Sequence, residues 1–75
     1  MEASMTKEER IAALGAAVRE ARLARGLSQA KLAAMIGTDQ ASIARLEGGK
    51  HNAGVGTYIK IADALGVPFK SLVKF

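Results

Sequence analysis

The chain has 75 residues, the size of one small domain, and we expect a single folded unit over residues 1–75 with residues 1–6 as a flexible N-terminus. It contains no cysteine, which excludes disulfides, zinc–thiolate sites and cysteine nucleophiles, and with a single histidine we expect no metal site. Eleven Lys and Arg against seven Asp and Glu give a net charge of +4, which suits a polyanionic partner without proving one.

A first helix is predicted by a capping-box signature, in which Thr6 is followed three residues later by Glu9. Gly26 is the residue at which we expect this helix to end. Apolar residues recur at helical spacing between these points: Ile11, Leu14, Val18 and Ala21. Arginines lie on the other faces, and for Arg25 we expect only contact with solvent.

Two short helices are predicted next, each with its own start and stop signals. Ser28 is the N-cap candidate of the second helix and Gly37 ends it, while Asp39 is the N-cap candidate of the third helix. The third helix ends at Gly48 and Gly49. The segment 50–54 that follows is polar and contains glycine, which is typical of a loop.

A fourth helix is predicted up to Gly66, and Pro68 then permits one short final helix in which Phe69 and Leu72 close the core. No segment alternates with the period of a half-buried strand, so we expect an all-α fold in which short helices share one compact core. The residues expected in that core are Ile11, Leu14, Val18, Leu32, Ile36, Ile43, Leu46, Ile59, Ala62 and Leu65.

The second and third helices have a spacing that is typical of a helix-turn-helix. Two helices that cross steeply over a tight turn need a small side chain where their backbones approach, and Ala33 is suited to that place. The turn itself needs a residue that tolerates positive φ, and Gly37 is suited to that. Apolar residues that pack both helices against the rest of the domain lie at the other positions of the pattern: Leu32, Ile36, Ile43 and Leu46.

These residues resemble the lambda-repressor-like helix-turn-helix family of the Cro, phage-repressor and xenobiotic-response-element type. The resemblance runs without a gap from Leu14 to Leu72 and is carried by residues 22–29, 32–33, 43–50 and 61–67. It implies a compact domain of five helices, with the third helix in the major groove of DNA. The chain departs from the family at Ala53, where many members have proline, and at Gly54 and Gly56, which leave the fourth helix without a strong cap.

The resemblance also implies which residues face the bases. Gln40 can form a bidentate pair with adenine and Arg45 with guanine, each contributing roughly 1–3 kcal/mol of discrimination. Asp39 has the wrong charge for a phosphate and serves first as an N-cap. The full set of expected base-contacting residues is Thr38, Asp39, Gln40, Ala41, Ala44 and Arg45.

Phosphate contacts are expected on both sides of the third helix. Gln29 opens the second helix, where backbone N–H groups and the helix dipole favour a phosphate. Arg22 and Glu47 match a family ion pair between the first helix and the end of the third, which would leave other N–H groups of Arg22 for a phosphate. The expected phosphate-contacting residues are Arg19, Arg22, Gln29, Lys50, His51 and Asn52.

The function implied by the resemblance is that of a sequence-specific transcription regulator, a repressor, that binds a palindromic double-stranded DNA operator and needs no cofactor. Family members often dimerise through the C-terminal helix, so we expect a homodimer with an interface formed by Phe69, Leu72, Val73 and Phe75. No apolar run approaches the roughly 20 residues of a membrane span and no secretory signal is visible. We therefore expect a cytoplasmic protein, prokaryotic or phage-encoded, that is nucleoid-associated when bound.

Three regulatory roles fit this reading equally: a phage-type repressor, a controller of a restriction–modification locus and an antitoxin-like autorepressor. The alternative from another class is an antitoxin-like or adaptor protein whose main partner is a toxin or other protein. That alternative is favoured by the segment from Asp39 to Glu47, which holds one Arg against two acids. An enzyme is not expected, because the histidine has no triad partners and Gly48-Gly49 ends a helix rather than opening one.

Overall fold

The computed structural model describes residues 5–75, and along this stretch the chain forms four α-helices and no strand. The helices are α1 (Lys7–Ala24), α2 (Gln29–Ile36), α3 (Gln40–Glu47) and α4 (Val55–Leu65). The all-α fold class is therefore confirmed for the described residues. Of the N-terminal segment predicted to be flexible, residues 1–4 lie outside the described residues, while Thr6 is the N-cap of α1.

The prediction of a fifth α-helix is wrong. The last element of the described chain is instead a 3₁₀-helix, Phe69–Leu72. Pro68 before it and Val73 after it both have extended backbone, which leaves four residues and one turn of helix. Leu72 is buried, as predicted for a residue that closes the core, and Phe69 packs against the same cluster from a half-buried position.

The predicted starts of the first three helices are confirmed by their side-chain caps. The Thr6 hydroxyl accepts from the Glu9 amide at 3.0 Å, and the Glu9 carboxylate accepts from the Thr6 amide at 2.8 Å. Ser28 caps α2 by accepting from an amide one turn on, and Asp39 caps α3 in the same way. Gly54 begins α4 without a side-chain cap, as the departure from the family pattern predicts.

The core is one cluster to which every helix contributes, and on α4 the predicted core residues Ala62 and Leu65 are confirmed while Ile59 is wrong. Ile59 is 43% exposed, whereas Tyr58 and Ile61 are buried with Ala62 and Leu65. Both sets have helical spacing, and the buried one places four side chains at i, i+3, i+4 and i+7 on a single face. The fully buried apolar residues besides these four are Ala17, Val18, Leu32, Ala33, Ile43, Leu46 and Leu72.

Two glycines allow α1 to cross the end of α3 at backbone distance. A side chain on Gly15 would collide with the carbonyl oxygen of Leu46. Gly49 has a φ of +77°, which favours glycine, and a Cβ there would lie 2.8 Å from the Cα of Ala12. This close crossing fixes the C-terminal end of α3 against the first helix and so sets the direction in which α3 projects.

Arg25 has a structural contact rather than only the solvent contact expected of it. Its guanidinium Nη1 donates a hydrogen bond to the carbonyl oxygen of Leu65, in the last turn of α4. The bond satisfies one of the carbonyl groups that a helix leaves free at its C-terminus. It also ties the end of α1 to the end of α4. No helix within residues 5–75 has the length and apolar character needed to cross a membrane.

Candidate nucleic-acid interface

A tight turn joins helices α2 and α3, and local backbone hydrogen bonds stabilise it. Gly37 adopts a φ of +77° and the Thr38 amide donates to the Ala33 carbonyl at 2.9 Å, which closes the end of α2. Ala33 is buried where the helices approach, as its small size predicts. The turn leads directly into Asp39 and α3, so the start of α3 is held in a fixed position relative to α2.

Helix α3 has one buried face and one exposed face. Ile43 and Leu46 are buried in the core, and this orients the opposite side of the helix toward solvent. All six residues expected to contact bases are exposed, and four of them lie on α3 itself. The exposed set is Thr38, Asp39, Gln40, Ala41, Ala44 and Arg45. All six side chains are therefore accessible, in the turn before α3 and along its exposed face.

Asp39 and Arg45 are linked through Ser42, a residue that the sequence reasoning did not select. The Ser42 amide donates to Asp39 Oδ1 at 2.8 Å, and Arg45 Nη2 donates to Ser42 Oγ at 3.3 Å. The hydrogen bonds from Ser42 lower the pKa of Asp39 below its ordinary value, and the nearby Arg45 charge adds to this. The exposed face of α3 thus holds an ionised carboxylate beside a cation. One feature of the sequence indicates Ser42 as a partner of Asp39, because Ser42 lies three residues after this predicted N-cap.

The structure joins Arg22 of α1 to Glu47 at the end of α3 in a two-pronged ion pair. Arg22 Nε lies 2.7 Å from Glu47 Oε2, and Arg22 Nη2 donates to Glu47 Oε1 at 3.0 Å. Arg22 Nη1 donates to the carbonyl oxygen of Leu27 at 2.7 Å. The hydrogen bond to Glu47 raises the pKa of Arg22, so the guanidinium stays charged although it is buried.

The phosphate contact expected of Arg22 does not agree with this geometry. Its side chain is 7% exposed and that of Glu47 is 3% exposed, so neither has an open surface toward a ligand. Three of the guanidinium N–H groups already donate within the protein. We therefore assign Arg22 a structural role, which is to hold α1, the turn before α2 and α3 together.

Gln29 connects the ion pair to the exposed face of α3. Its Nε2 donates to Glu47 Oε1 at 3.1 Å, and its Oε1 accepts from Gln40 Nε2 at 3.3 Å. Gln29 is half-buried and Gln40 is exposed. The side chain of Gln29, which was expected to lie at a phosphate, is thus engaged by two protein partners, while its position as the first residue of α2 is as predicted.

The loop after α3 lies next to Arg45, one of the residues expected to contact bases. Arg45, Gly48, Lys50 and His51 border one open depression of about 500 Å³. His51 and Asn52 also border a second groove of about 350 Å³ that extends to Thr38 and to Thr57 and Lys60 on α4. Lys50, His51 and Asn52 are all exposed. Lys60 is one of the basic residues that the sequence places on the flanks of α3, and its position beside the loop depends on how α4 folds back.

Arg19 is exposed on α1, and within residues 5–75 no side-chain hydrogen bond or ion pair joins it to α3 or to the loop. The structure therefore unites the candidates on α3 and in segment 50–52, brings Gln29 into hydrogen-bond contact with Gln40, and leaves Arg19 separate.

A family model described as Helix-turn-helix matches residues 18–72. The comparison with curated proteins gives no significant match.

Solved structures of transcription regulators are similar to this chain. The restriction-modification controller protein C.AhdI from Aeromonas hydrophila is 34% identical with a TM-score of 0.79, and the match covers 83% of this chain and 94% of that one. The hypothetical transcription factor NHTF from Neisseria is 30% identical with a TM-score of 0.80, covering 97% and 85%. The clp gene regulator ClgR from Corynebacterium glutamicum is 26% identical with a TM-score of 0.79, covering 81% and 65%.

Proposed function

Because this chain belongs to the Helix-turn-helix family of Cro and phage-repressor type, whose solved relatives are transcription regulators, we propose that it is a sequence-specific repressor that reads the major groove of duplex DNA with α3. The family indicates a DNA-binding regulator, and repression and groove reading are the finer parts of the proposal. We further propose that it acts in the cytoplasm of a prokaryote, on the nucleoid when bound, because its solved relatives include bacterial regulators.

The observation that carries the proposal is the two-faced character of α3. Because Ile43 and Leu46 are buried, Gln40 and Arg45 both face solvent. The close crossing at Gly15 packs α1 against the C-terminal end of this helix. An exposed helix with an amide and a guanidinium at its base-facing positions is suited to hydrogen bonding with base edges. The remaining proposed base contacts are Thr38, Asp39, Ala41 and Ala44.

Phosphate binding is assigned to the groups that flank α3. Lys50, His51 and Asn52 are exposed directly after the helix, where they can hold the backbone of the strand that α3 enters. At the other side, the first backbone N–H groups of α2 at Gln29 offer a dipole-assisted site. Arg19 is the proposed outer contact. In this division the flanks supply affinity and α3 supplies selectivity.

Selection of bound duplexes from a random DNA library tests the proposal directly. We expect an enriched palindrome, because a two-fold protein requires a two-fold operator. Gln40→Ala should lose preference at one base pair of each half-site and keep its affinity for unselected DNA. Lys50→Met should weaken binding to all sequences and flatten the log–log salt slope by about one unit. Equal losses on every sequence for both variants would contradict the division between base reader and phosphate anchor.

Repression requires only that the bound protein occupy the DNA that polymerase needs. A reporter gene whose promoter overlaps the selected operator should therefore be silenced by the wild-type chain. The matched control is Lys50→Met, whose expression level and fold should equal those of wild type while its silencing is weaker. Activation of the reporter by the wild-type chain would contradict a repressor.

A homodimer is part of the proposal, with a smaller interface than the sequence predicted. Leu72 is 1% exposed and belongs to the core, so it has no surface for a second copy, and Phe69 is half-buried against the same core. Phe75 is exposed and Val73 half-buried, and these two residues are the proposed contacts at the C-terminus. Sedimentation equilibrium of wild type should show a dimer that Phe75→Lys dissociates. If Ile59→Lys on α4 dissociates it instead, the interface is on α4.

A protein partner is the second candidate, and one observation favours it. Met35, Val55 and Ile59 are exposed apolar side chains on α2 and α4. An antitoxin-like protein could cover a toxin with such a surface. Weak duplex binding without salt dependence would favour this candidate over a DNA-binding repressor, which releases counterions at each phosphate contact.

A further inference from the structure

Three polar residues spaced three apart, Asp39, Ser42 and Arg45, form a hydrogen-bonded network that runs from the cap of α3 to an exposed guanidinium. We propose that Ser42 positions Arg45 and thereby sets how strongly the protein selects guanine at the base pair that Arg45 reads. The inference rests on the proposed function, because Arg45 reads a base only if α3 lies in the major groove. Ser42 is then a positioning residue for specificity, and Arg45 is the residue that touches the base.

The direction of the network follows from what each group can donate. Asp39 is ionised at neutral pH, because hydrogen bonds from the amide and the hydroxyl of Ser42 lower the pKa of its carboxyl group. An ionised carboxylate only accepts, so the single hydroxyl hydrogen of Ser42 is directed to Asp39 and the oxygen lone pairs are left for Arg45. Arg45 Nη2 donates to this oxygen at 3.3 Å. The cap of α3 thus makes the Ser42 hydroxyl an acceptor for the guanidinium.

The guanidinium of Arg45 keeps the groups that guanine requires. It has five N–H groups, and the bond to Ser42 is its one side-chain hydrogen bond within residues 5–75. Guanine presents two acceptors to the major groove, O6 and N7, and two N–H groups of an arginine pair with them together. Four N–H groups remain for this contact. The bond to Ser42 therefore restricts the side chain and leaves its capacity to read guanine.

Such a restriction matters because Arg45 is exposed and arginine has many rotamers to lose. If the side chain were fixed only when DNA binds, the loss of rotamer freedom would lower the binding constant by up to about tenfold. Two interactions restrict it in the free protein, namely the hydrogen bond to Ser42 and the attraction between its charge and the ionised Asp39. Ser42 is half-buried within α3, so the helix itself fixes the position of the acceptor.

Ser42→Ala is the sharpest test, because it removes the hydroxyl and keeps the backbone amide that Asp39 caps. Alanine is also a strong helix former, so we expect α3 to fold as in wild type. In competition between duplexes, preference for guanine at the base pair read by Arg45 should fall by about three- to tenfold. Preference at the base pair read by Gln40 should not change. Ser71→Ala is the matched control, since its hydroxyl bonds only to Pro68 in the 3₁₀-helix, and it should leave both preferences as in wild type.

A double variant separates positioning by Ser42 from direct contact between Ser42 and DNA. In an Arg45→Met background, Ser42→Ala should have no further effect on base preference, because the two residues act through one contact. Losses that add in the double variant would show that Ser42 touches DNA by itself and would overturn the proposal. Unchanged guanine preference in the single variant Ser42→Ala would overturn it as well.

The salt dependence separates base reading by Arg45 from phosphate binding. Ser42→Ala removes no charge, so its log–log salt slope should equal that of wild type. Arg45→Met should lose preference at one base pair of each half-site. If Arg45→Met instead flattens the slope by about one unit and keeps every base preference, Arg45 binds a phosphate, and the proposed role of Ser42 is wrong even though Gln40 still reads a base.

A measurement without DNA distinguishes failure of the positioning from failure of the proposed function. The Arg45 charge lowers the pKa of Asp39, so Arg45→Met should raise that pKa, as followed by NMR titration of the Asp39 carboxyl group. If the Ser42 hydroxyl holds the guanidinium near Asp39, the rise caused by Arg45→Met should be smaller in a Ser42→Ala background.

Equal rises of the Asp39 pKa in the two backgrounds would show that Ser42 does not hold Arg45, and would overturn the positioning whatever the chain binds. A chain that shows the smaller rise in the Ser42→Ala background and binds no duplex selectively overturns the proposed function instead. The role of Ser42 in base selection then falls with it, while the network of Asp39, Ser42 and Arg45 stands.

Discussion

Replacing Arg22 by methionine should cost a large part of the stability of this domain. The substitution removes three hydrogen bonds of the guanidinium and leaves the Glu47 carboxylate, 3% exposed, without its counter-charge. Breaking a buried pair in this way costs about 3–5 kcal/mol, because the remaining charge has lost its water and its partner. A domain of 75 residues has a total unfolding free energy of only about 4–11 kcal/mol.

The assay is urea unfolding followed by circular dichroism at neutral pH, with the double variant Arg22→Met/Glu47→Met measured beside the single one. Removing both charges leaves an apolar pair of similar length, so the double variant should recover more than half of the loss. Lys74→Met is the matched control. It breaks the Lys74–Glu20 bridge at 3.1 Å, whose side chains are more than half exposed, and should change stability by less than about 0.5 kcal/mol.

Salt gives a second readout of the same prediction. The destabilisation by Arg22→Met should be nearly independent of salt concentration, since neither member of the pair is screened by solvent. Two results would contradict this prediction. One is an unfolding free energy of Arg22→Met within about 1 kcal/mol of the wild-type value, and the other is a double variant that is no more stable than the single one. Either result would mean that the pair does not hold α1 to the end of α3.

Four further substitutions, one of them a control, test the fold that supports the interface, each by urea unfolding. Gly15→Ala should lose about 1–3 kcal/mol through collision with the Leu46 carbonyl, whereas Gly56→Ala, in open space on α4, should be neutral or stabilising. Asp39→Ala should lower the unfolding free energy by removing the cap of α3. Because the Ser42 hydrogen bonds lower the Asp39 pKa, this difference should be present at neutral pH and shrink as pH falls below about 3.9. Tyr58→Phe should be neutral or raise stability by up to about 1 kcal/mol, because the buried Tyr58 hydroxyl has no hydrogen-bond partner among residues 5–75.

Features encoded by neighbouring residues could be predicted from the sequence, and those decided by distant packing could not. Thr6, Ser28 and Asp39 begin helices through hydrogen bonds that span three residues, so a short pattern contains the whole cause. The register of α4 depends instead on which of two apolar stripes meets the rest of the core, and Ile59 and Ile61 are equally apolar in the sequence.

The same distinction between local and distant causes applies to the candidate site. The exposure of Gln40 and Arg45 follows from the burial of Ile43 and Leu46 at helical spacing, which the sequence already contains. The hydrogen bond between Gln29 and Gln40 depends on two helices meeting at one angle, and no pattern in either helix predicts it. The same holds for Arg25, whose partner Leu65 lies forty residues away in the chain.

The charge that α3 exposes to a ligand differs from the charge counted in its sequence. One Arg against two acids between Asp39 and Glu47 favoured a protein partner, because a helix of net negative charge repels DNA. Glu47, however, is buried and neutralised by Arg22 from another helix, so it contributes nothing to the surface that a ligand meets. The exposed charges that remain are Asp39 and Arg45, which balance. A neutral face flanked by the exposed Lys50 loop is compatible with the proposed division, in which the flanks bind phosphates and α3 discriminates among bases, so the charge of α3 no longer favours a protein partner.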